Sequence, residues 1–222
     1  MFNLVSVSLS VISVKPFIGR TLSTQLLNDV FSRKNDFELE FYLGDGQLVI
    51  VYKTKLLGVV CTSDCKWTEN TKYLVSKGNG KIWFLRRLKA LGASLTTLID
   101  IFKLFIRSHL EFCAPLWAGN LSTKNCQDLE RVQKTALKVI LGPKYVSYEN
   151  ALEILEEVSL EERRTLLCLK FARKFSTHPA YGQLFQKGIT TRTRTTFIEP
   201  GFRTKRFGRS AIPHMIRILN QS

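Results

Sequence analysis

Acidic side chains are scarce in this chain of 222 residues, where 18 Asp and Glu stand against 33 Lys and Arg and the formal net charge is +15. So basic a balance disfavours cationic ligands and points to a polyanion as partner. Histidine is nearly absent, with His109, His178 and His214 only. Cysteine is sparse and odd in number: Cys61, Cys65, Cys113, Cys126 and Cys168 share no repeated spacing, and no histidine lies at finger-like distance from them. Neither a disulfide framework nor a zinc site is expected, and the thiols are read as reduced and intracellular, with nucleus and cytoplasm not separated. Long apolar runs are missing as well. The most suggestive stretch, Leu4 to Val14, is broken by four serines and falls short of the roughly 18 residues of a spanning helix, so no membrane association is expected. No Lys or Arg precedes it, which argues against a secretory signal. What the chain does have is 45 % hydrophobic residues, enough for a globular core.

The expected organisation has four parts. Residues 1–36 carry no assignable pattern. Residues 37–66 read as β-structure: Phe37 to Phe41 alternates apolar and acidic side chains, a hairpin turns at Asp45-Gly46, and Lys55 to Val60 forms a further strand ending at Thr62-Ser63-Asp64. Residues 67–176 turn helical. A first helix runs from Thr68 to Leu91 and is weakened in the middle by Gly78 and Gly80; a second, capped by Ser94, carries a broad stripe from Leu95 to Leu110 and is expected to be mostly buried. Pro115 breaks the chain, Ser122 or Thr123 caps a third helix ended by Gly142-Pro143, and Ser147 starts a fourth. Ser159-Leu160-Glu161-Glu162 is a capping box opening a fifth helix to about Phe175. Residues 177–222 form a basic extension of extended or loosely ordered chain with a short apolar close from Ile212 to Leu219. The expected class is therefore mainly α with a small β-hairpin.

Catalytic constellations are hard to find. Asp36, Glu38 and Glu40 share a strand face but read as solvated, Asp45, Asp64 and Asp100 lack acidic partners, and there is no Gly-rich phosphate loop. No catalytic residue and no metal ligand is assigned. Cations give the stronger signal. Arg131, Lys134 and Lys138 fall at i, i+3 and i+7 on the third helix, opposite its apolar stripe; Arg163 and Arg164 lie on the fifth; Arg192, Arg194, Arg203, Lys205 and Arg206 crowd the tail. Six or so such contacts to a polyphosphate release counterions and make affinity salt-dependent. Trp83 and Phe84 beside Arg86-Arg87, and Phe202 and Phe207 in the tail, are candidate stacking platforms.

An ordered series of short motifs adds to this: Leu56-Leu57-Gly58-Val59 with Asp64 and Lys66-Trp67, Leu85-Arg86-Arg87-Leu88, Leu110-Glu111-Phe112 with Pro115-Leu116-Trp117, Leu129 to Lys134, Leu141-Gly142, Leu160 to Arg164, Leu169 to Ala172, and Arg203 to Phe207 with Ser210 to Pro213. From about residue 37 to 222 the series resembles the downstream half of LINE-type, jockey-like non-LTR retrotransposon reverse transcriptases. The resemblance implies a helical, thumb-like bundle and connector after the end of the palm, with Leu57, Gly58 and Val59 in a primer-grip-like region. It implies RNA, DNA or their hybrid as partners, together with the palm and fingers of the parent enzyme. That parent is an RNA-directed DNA polymerase using Mg2+. The family's paired aspartates are missing here, so this segment is expected to be inactive alone, to need no cofactor and to keep non-specific nucleic-acid binding. The competing expectation is a helical protein–protein interaction module or a non-functional remnant.

Overall fold

Two short antiparallel hairpins open the described part of the chain. In the computed structural model, residues 41–43, 46–48, 52–190 and 195–222 are described; the unassigned segment 1–36, the expected strand residues Phe37 to Glu40, Asp45, Arg192 and Arg194 lie outside them. The chain divides between Ile50 and Val51 into two units. In the first, β1 (Phe41–Leu43) pairs with β2 (Gly46–Leu48) in the register Leu43↔Gly46, so Gly46 lies in the strand rather than in the turn.

The second unit begins with β3 (Lys53–Leu56) and β4 (Val59–Thr62), paired from Lys53↔Thr62 to Leu56↔Val59. The single strand expected over Lys55 to Val60 is thus folded back on itself. Leu57 and Gly58 both have positive φ, 46° and 91°, the requirement of a two-residue primed turn. Alternation misses this turn because Leu57 is apolar, yet it is 76 % exposed at the tip. A Cβ on Gly58 would meet the Phe112 ring at 3.0 Å, so the turn can rest on that ring only as glycine.

Helices follow almost without interruption: α1 (Thr68–Ala90), α2 (Leu95–Ile101), a wider π-helical stretch over Phe102–Arg107, α3 (Ser108–Leu110), α4 (Ala114–Trp117), α5 (Thr123–Leu141), α6 (Tyr148–Ile154) and α7 (Leu160–Ser176). Ser94, Ser122, Ser147 and Ser159 each accept the backbone N–H three residues on, satisfying donors that helix starts leave open. Cys113, in the left-handed region at φ 53°, separates α3 from α4, and the expected breaker Pro115 lies in the first turn of α4.

Helix α1 is continuous through both glycines. Gly78 is buried where α5 and Leu110 approach: an added Cβ would lie 2.9 Å from Val132 Cγ1 and 3.2 Å from Leu110 Cδ2. Its role is close helix contact rather than a break. The Asn125 amide donates to Thr68 Oγ1 at one end of the α1–α5 pair, and Lys89 Nζ donates to the Val139 and Ile140 carbonyls at the other. The two helices therefore run parallel. Leu74, Ile82 and Leu85 of α1 face Leu129, Val132, Ala136 and Ile140 of α5 across this core, with Leu98, Phe102, Ile106 and Leu110 spaced by four residues along its edge. The α2 segment is less buried than its composition predicts, since Leu95, Leu104 and Phe105 remain 47–68 % exposed.

Beyond α7 the described tail is folded. A 3-10 turn (Gly182–Leu184), the hairpin β5 (Lys187–Thr190) and β6 (Thr195–Phe197), the single turn α8 (Lys205–Gly208) and α9 (Ala211–Gln221) close a second cluster around Ala172, Phe185, Met215 and Ile216. Asn220 clamps Phe197 by accepting from its N–H and donating to its C=O. The apolar residues of α9, diluted by a basic preceding stretch, supply the cover for α7. The molecule is mainly helical with small hairpins, and no described helix is long and apolar enough to cross a membrane.

Candidate nucleic-acid interface

Because α1 and α5 are parallel, their exposed flanks form one groove. Its N-terminal part is a cleft of about 540 Å³ lined by Thr68, Lys72, Ser76 and Asn79 of α1, with Ser122, Lys124, Asn125 and Asp128 at the start of α5. The helical repeat carries the same flanks onward, since residues seven apart lie nearly above one another. On α5, Lys124 is followed by Arg131 and Lys138; on α1, Lys72 and Asn79 are followed by Arg86, with Trp83 between. All of these are exposed, Trp83 to 64 %. From Lys72 to Arg86 the groove runs about 21 Å at the α-helical rise. Acids are few along it. Asp128 is 3.0 Å from Arg131, and Glu69 at the edge is held by Lys53 and Lys72 at 2.7 Å each, which keeps its carboxyl at about 2.

A second cleft, about 610 Å³, lies between α1 and the β3–β4 hairpin, lined by Lys53, Thr54, Lys55, Glu69, Lys72, Tyr73 and Ser76. It shares Lys72 and Ser76 with the first. Lys55 donates to the Tyr73 hydroxyl at 2.7 Å and its ammonium stands 4.4 Å from the ring centre, which holds the phenol below its usual range. Beyond Tyr73, His109 has a buried, unbonded Nε2; burial first, then Lys81, Lys77 and Lys55, push its imidazole down to about 4.

The residues singled out from sequence fare differently. Arg131 and Lys138 fall on the exposed flank of α5 that carries Lys124, whereas Lys134 has its ammonium 4.7 Å from the Tyr148 ring on α6. Arg164 is not the exposed cation expected, and Arg163 is engaged within the molecule. Arg163 forms a two-pronged ion pair with Glu111, Nε on one oxygen and Nη2 3.0 Å from the other, which raises the guanidinium pKa further. Arg164 is 3 % exposed, its Nη1 and Nη2 have no partner, and the hydrogen bond its side chain makes is to the Cys126 thiol, with the Cys168 thiol also near. Arg164 is thus closed off from solvent, while Arg163 is partly exposed and already paired with a carboxylate. Helical periodicity holds the signal for Arg164, which lies in line with Leu160, Cys168 and Ala172 on the buried face, whereas nothing local marks Arg163, whose partner Glu111 is far away in sequence.

The tail residues Arg203, Lys205 and Arg206 are exposed. Arg206 Nη1 donates to the Asp64 carbonyl at 2.8 Å and its own carbonyl accepts from Asn120 at 3.3 Å, so it sits beside the residues that lead into Thr68 and Ser122, the mouth of the groove. Leu57 and Gly58 form the hairpin tip and Val59 is buried beneath it. Lys72 and Lys124 are groove residues that sequence reading did not single out as contacts; the seven-residue spacing Lys124–Arg131–Lys138 is the signal that would have found Lys124. The described carboxylates do not converge. Asp64 accepts from Thr62 and the Lys66 amide, Asp128 is paired, and no group of three metal-ligating side chains gathers among the described residues, so these residues do not fit a divalent-ion site. Compared with protein-family models, curated proteins and solved structures, the chain matches none.

Proposed function

We propose that this chain binds nucleic acid without sequence preference through the α1–α5 groove, and that it is the helical, thumb-like downstream part of a non-LTR retrotransposon reverse transcriptase. The observation that carries the binding reading is the parallel helix pair with Lys72 and Lys124 lining one cleft, and with the exposed Arg86, Arg131 and Lys138 continuing the same helix flanks and Arg206 bonded near its mouth. The family reading is supported by the ordered motif series, and under it RNA, DNA or a hybrid is the ligand and the palm and fingers of such a polymerase the physical partner. No catalytic role is assigned to any residue, and no step passes through the Mg2+ of the parent polymerase.

Titration of labelled single-stranded and duplex oligonucleotides at several salt concentrations tests this. Five phosphate contacts give a log–log slope of about −3.5 on single strands and about −4.5 on duplex. Affinity that is flat with salt, or unchanged in Arg131→Glu/Lys138→Glu, overturns the reading. A second reading has its own observation: Trp83, Phe84, Leu91, Leu95, Leu104 and Phe105 are 45–77 % exposed on α1 and the segment after it, more apolar surface than an isolated helix face needs, as a protein-docking module would present.

A further inference from the structure

We infer that the preferred ligand of this site is a single strand rather than a duplex, because the cationic track bends around α1 onto the β3–β4 hairpin. The inference rests on the groove reading above. The two clefts lie on neighbouring sides of α1 and meet at Lys72 and Ser76, so a chain leaving the α1–α5 channel is handed over Lys72 to Lys53 and Lys55 on β3. Turning there means following a helix only about 10–12 Å across. Duplex DNA, with a persistence length of about 50 nm, resists so tight a turn, whereas a single strand follows it freely. Trp83, 64 % exposed between Asn79 and Arg86, offers a face on which an unpaired base stacks and a paired base does not.

Glu69 occupies the handover point. Its two oxygens each hold one ammonium, Lys53 at 2.7 Å and Lys72 at 2.7 Å, in the place a bridging phosphate takes. A bound strand displaces that carboxylate, so Glu69 sets the affinity of the bend by competing with phosphate for both lysines.

The test uses the full chain with fluorescent oligo(dT), oligo(U) and a blunt hairpin duplex carrying the same number of phosphates. Single strands are expected to bind about tenfold tighter than the duplex. Lys53→Glu/Lys55→Glu weakens single-strand binding about fivefold or more beyond the loss that the weakened field causes for the duplex, while Glu69→Gln tightens single-strand binding several-fold. These side chains are on the surface, and circular dichroism checks that each variant keeps its helices. Duplex binding equal to or tighter than single-strand binding, or a single-strand affinity indifferent to the Lys53/Lys55 change, overturns the inference. If Arg131→Glu/Lys138→Glu still weakens binding in that case, the groove stands and only the bend falls. If that variant too leaves every ligand unaffected, the nucleic-acid reading itself fails.

Discussion

A guanidinium that is 3 % exposed with both terminal nitrogens unbonded gives up hydration without recovering it in a salt bridge. Arg164 is in that position, and its thiol neighbours offer only weak acceptors; burial pushes the Cys168 thiol up to about 11. Arg164→Met keeps the length of the side chain and removes the charge. It is expected to leave the urea midpoint unchanged or raise stability by about 1–2 kcal/mol, with oligonucleotide affinity unaltered. A large loss of affinity in a well-folded Arg164→Met would return this residue to the interface. His109 makes the opposite kind of statement, through pH. Its folded pKa of about 4 lies below the ordinary 6.5, so the unfolded chain takes up the proton first and stability falls as pH drops from 6.5 toward 4. Above 6.5 the contribution is fully present. Lys55, Lys77 and Lys81 surround the ring and disfavour its charged form, while Tyr73 meets it edge-on at 6.0 Å. His109→Phe keeps that aromatic contact and is expected to flatten the dependence of the denaturation midpoint over this window.

At the scale of elements, the α1–α5 crossing is decided by one absent side chain. Gly78→Ala puts a methyl 2.9 Å from Val132, whose β-branched side chain has little room to rotate away, and the overpacking of about 1–3 kcal/mol outweighs the helix propensity gained. Gly80→Ala, two residues on, meets nothing within 4 Å and is expected to stabilise by about 0.5–1 kcal/mol. Urea denaturation of the two variants should move in opposite directions; equal gains would mean that the helices can part without cost. The same pair of glycines marks what sequence could convey. Helix starts were legible, because a serine before an apolar-periodic run states its own local hydrogen bond, and Ser94, Ser122, Ser147 and Ser159 all make it. Gly78 was not legible, since its value is set by Val132 and Leu110, far away in sequence. The Leu57-Gly58 turn was hidden by an apolar residue at its tip, and the folding of the tail by the distance between α9 and the α7 face it covers. For the candidate site the rule was similar. Spacing puts Arg131 and Lys138 on one exposed flank of α5, but only the parallel docking of α1 brings Lys72 beside Lys124, and only tertiary structure draws Arg163 into an ion pair with Glu111.

Over the whole molecule the question is whether polyanion affinity comes from the net charge of +15 or from its arrangement. Among the described residues several carboxylates are consumed locally: Glu69, Asp64, Asp128, Glu111, Glu157 and Glu199 each hold a cation, with Glu157 taking both Lys103 and Arg107. The excess cations are left to set the long-range field, and such a field speeds association with any polyanion wherever the charges lie. Contact with phosphate is different, because each neutralised phosphate releases counterions and adds to the salt slope. Two variants of equal charge change separate the effects. Arg131→Glu/Lys138→Glu alters the groove, whereas Lys170→Glu/Lys174→Glu alters exposed positions on α7, a helix that lines neither cleft. Both lower the association rate by a similar factor through the weakened field. Only the groove variant is expected to flatten the single-strand salt slope, by about 1.4 for two lost contacts. Equal flattening in both variants would mean that the protein holds nucleic acid as a diffuse positive surface, with no use made of the channel between its parallel helices.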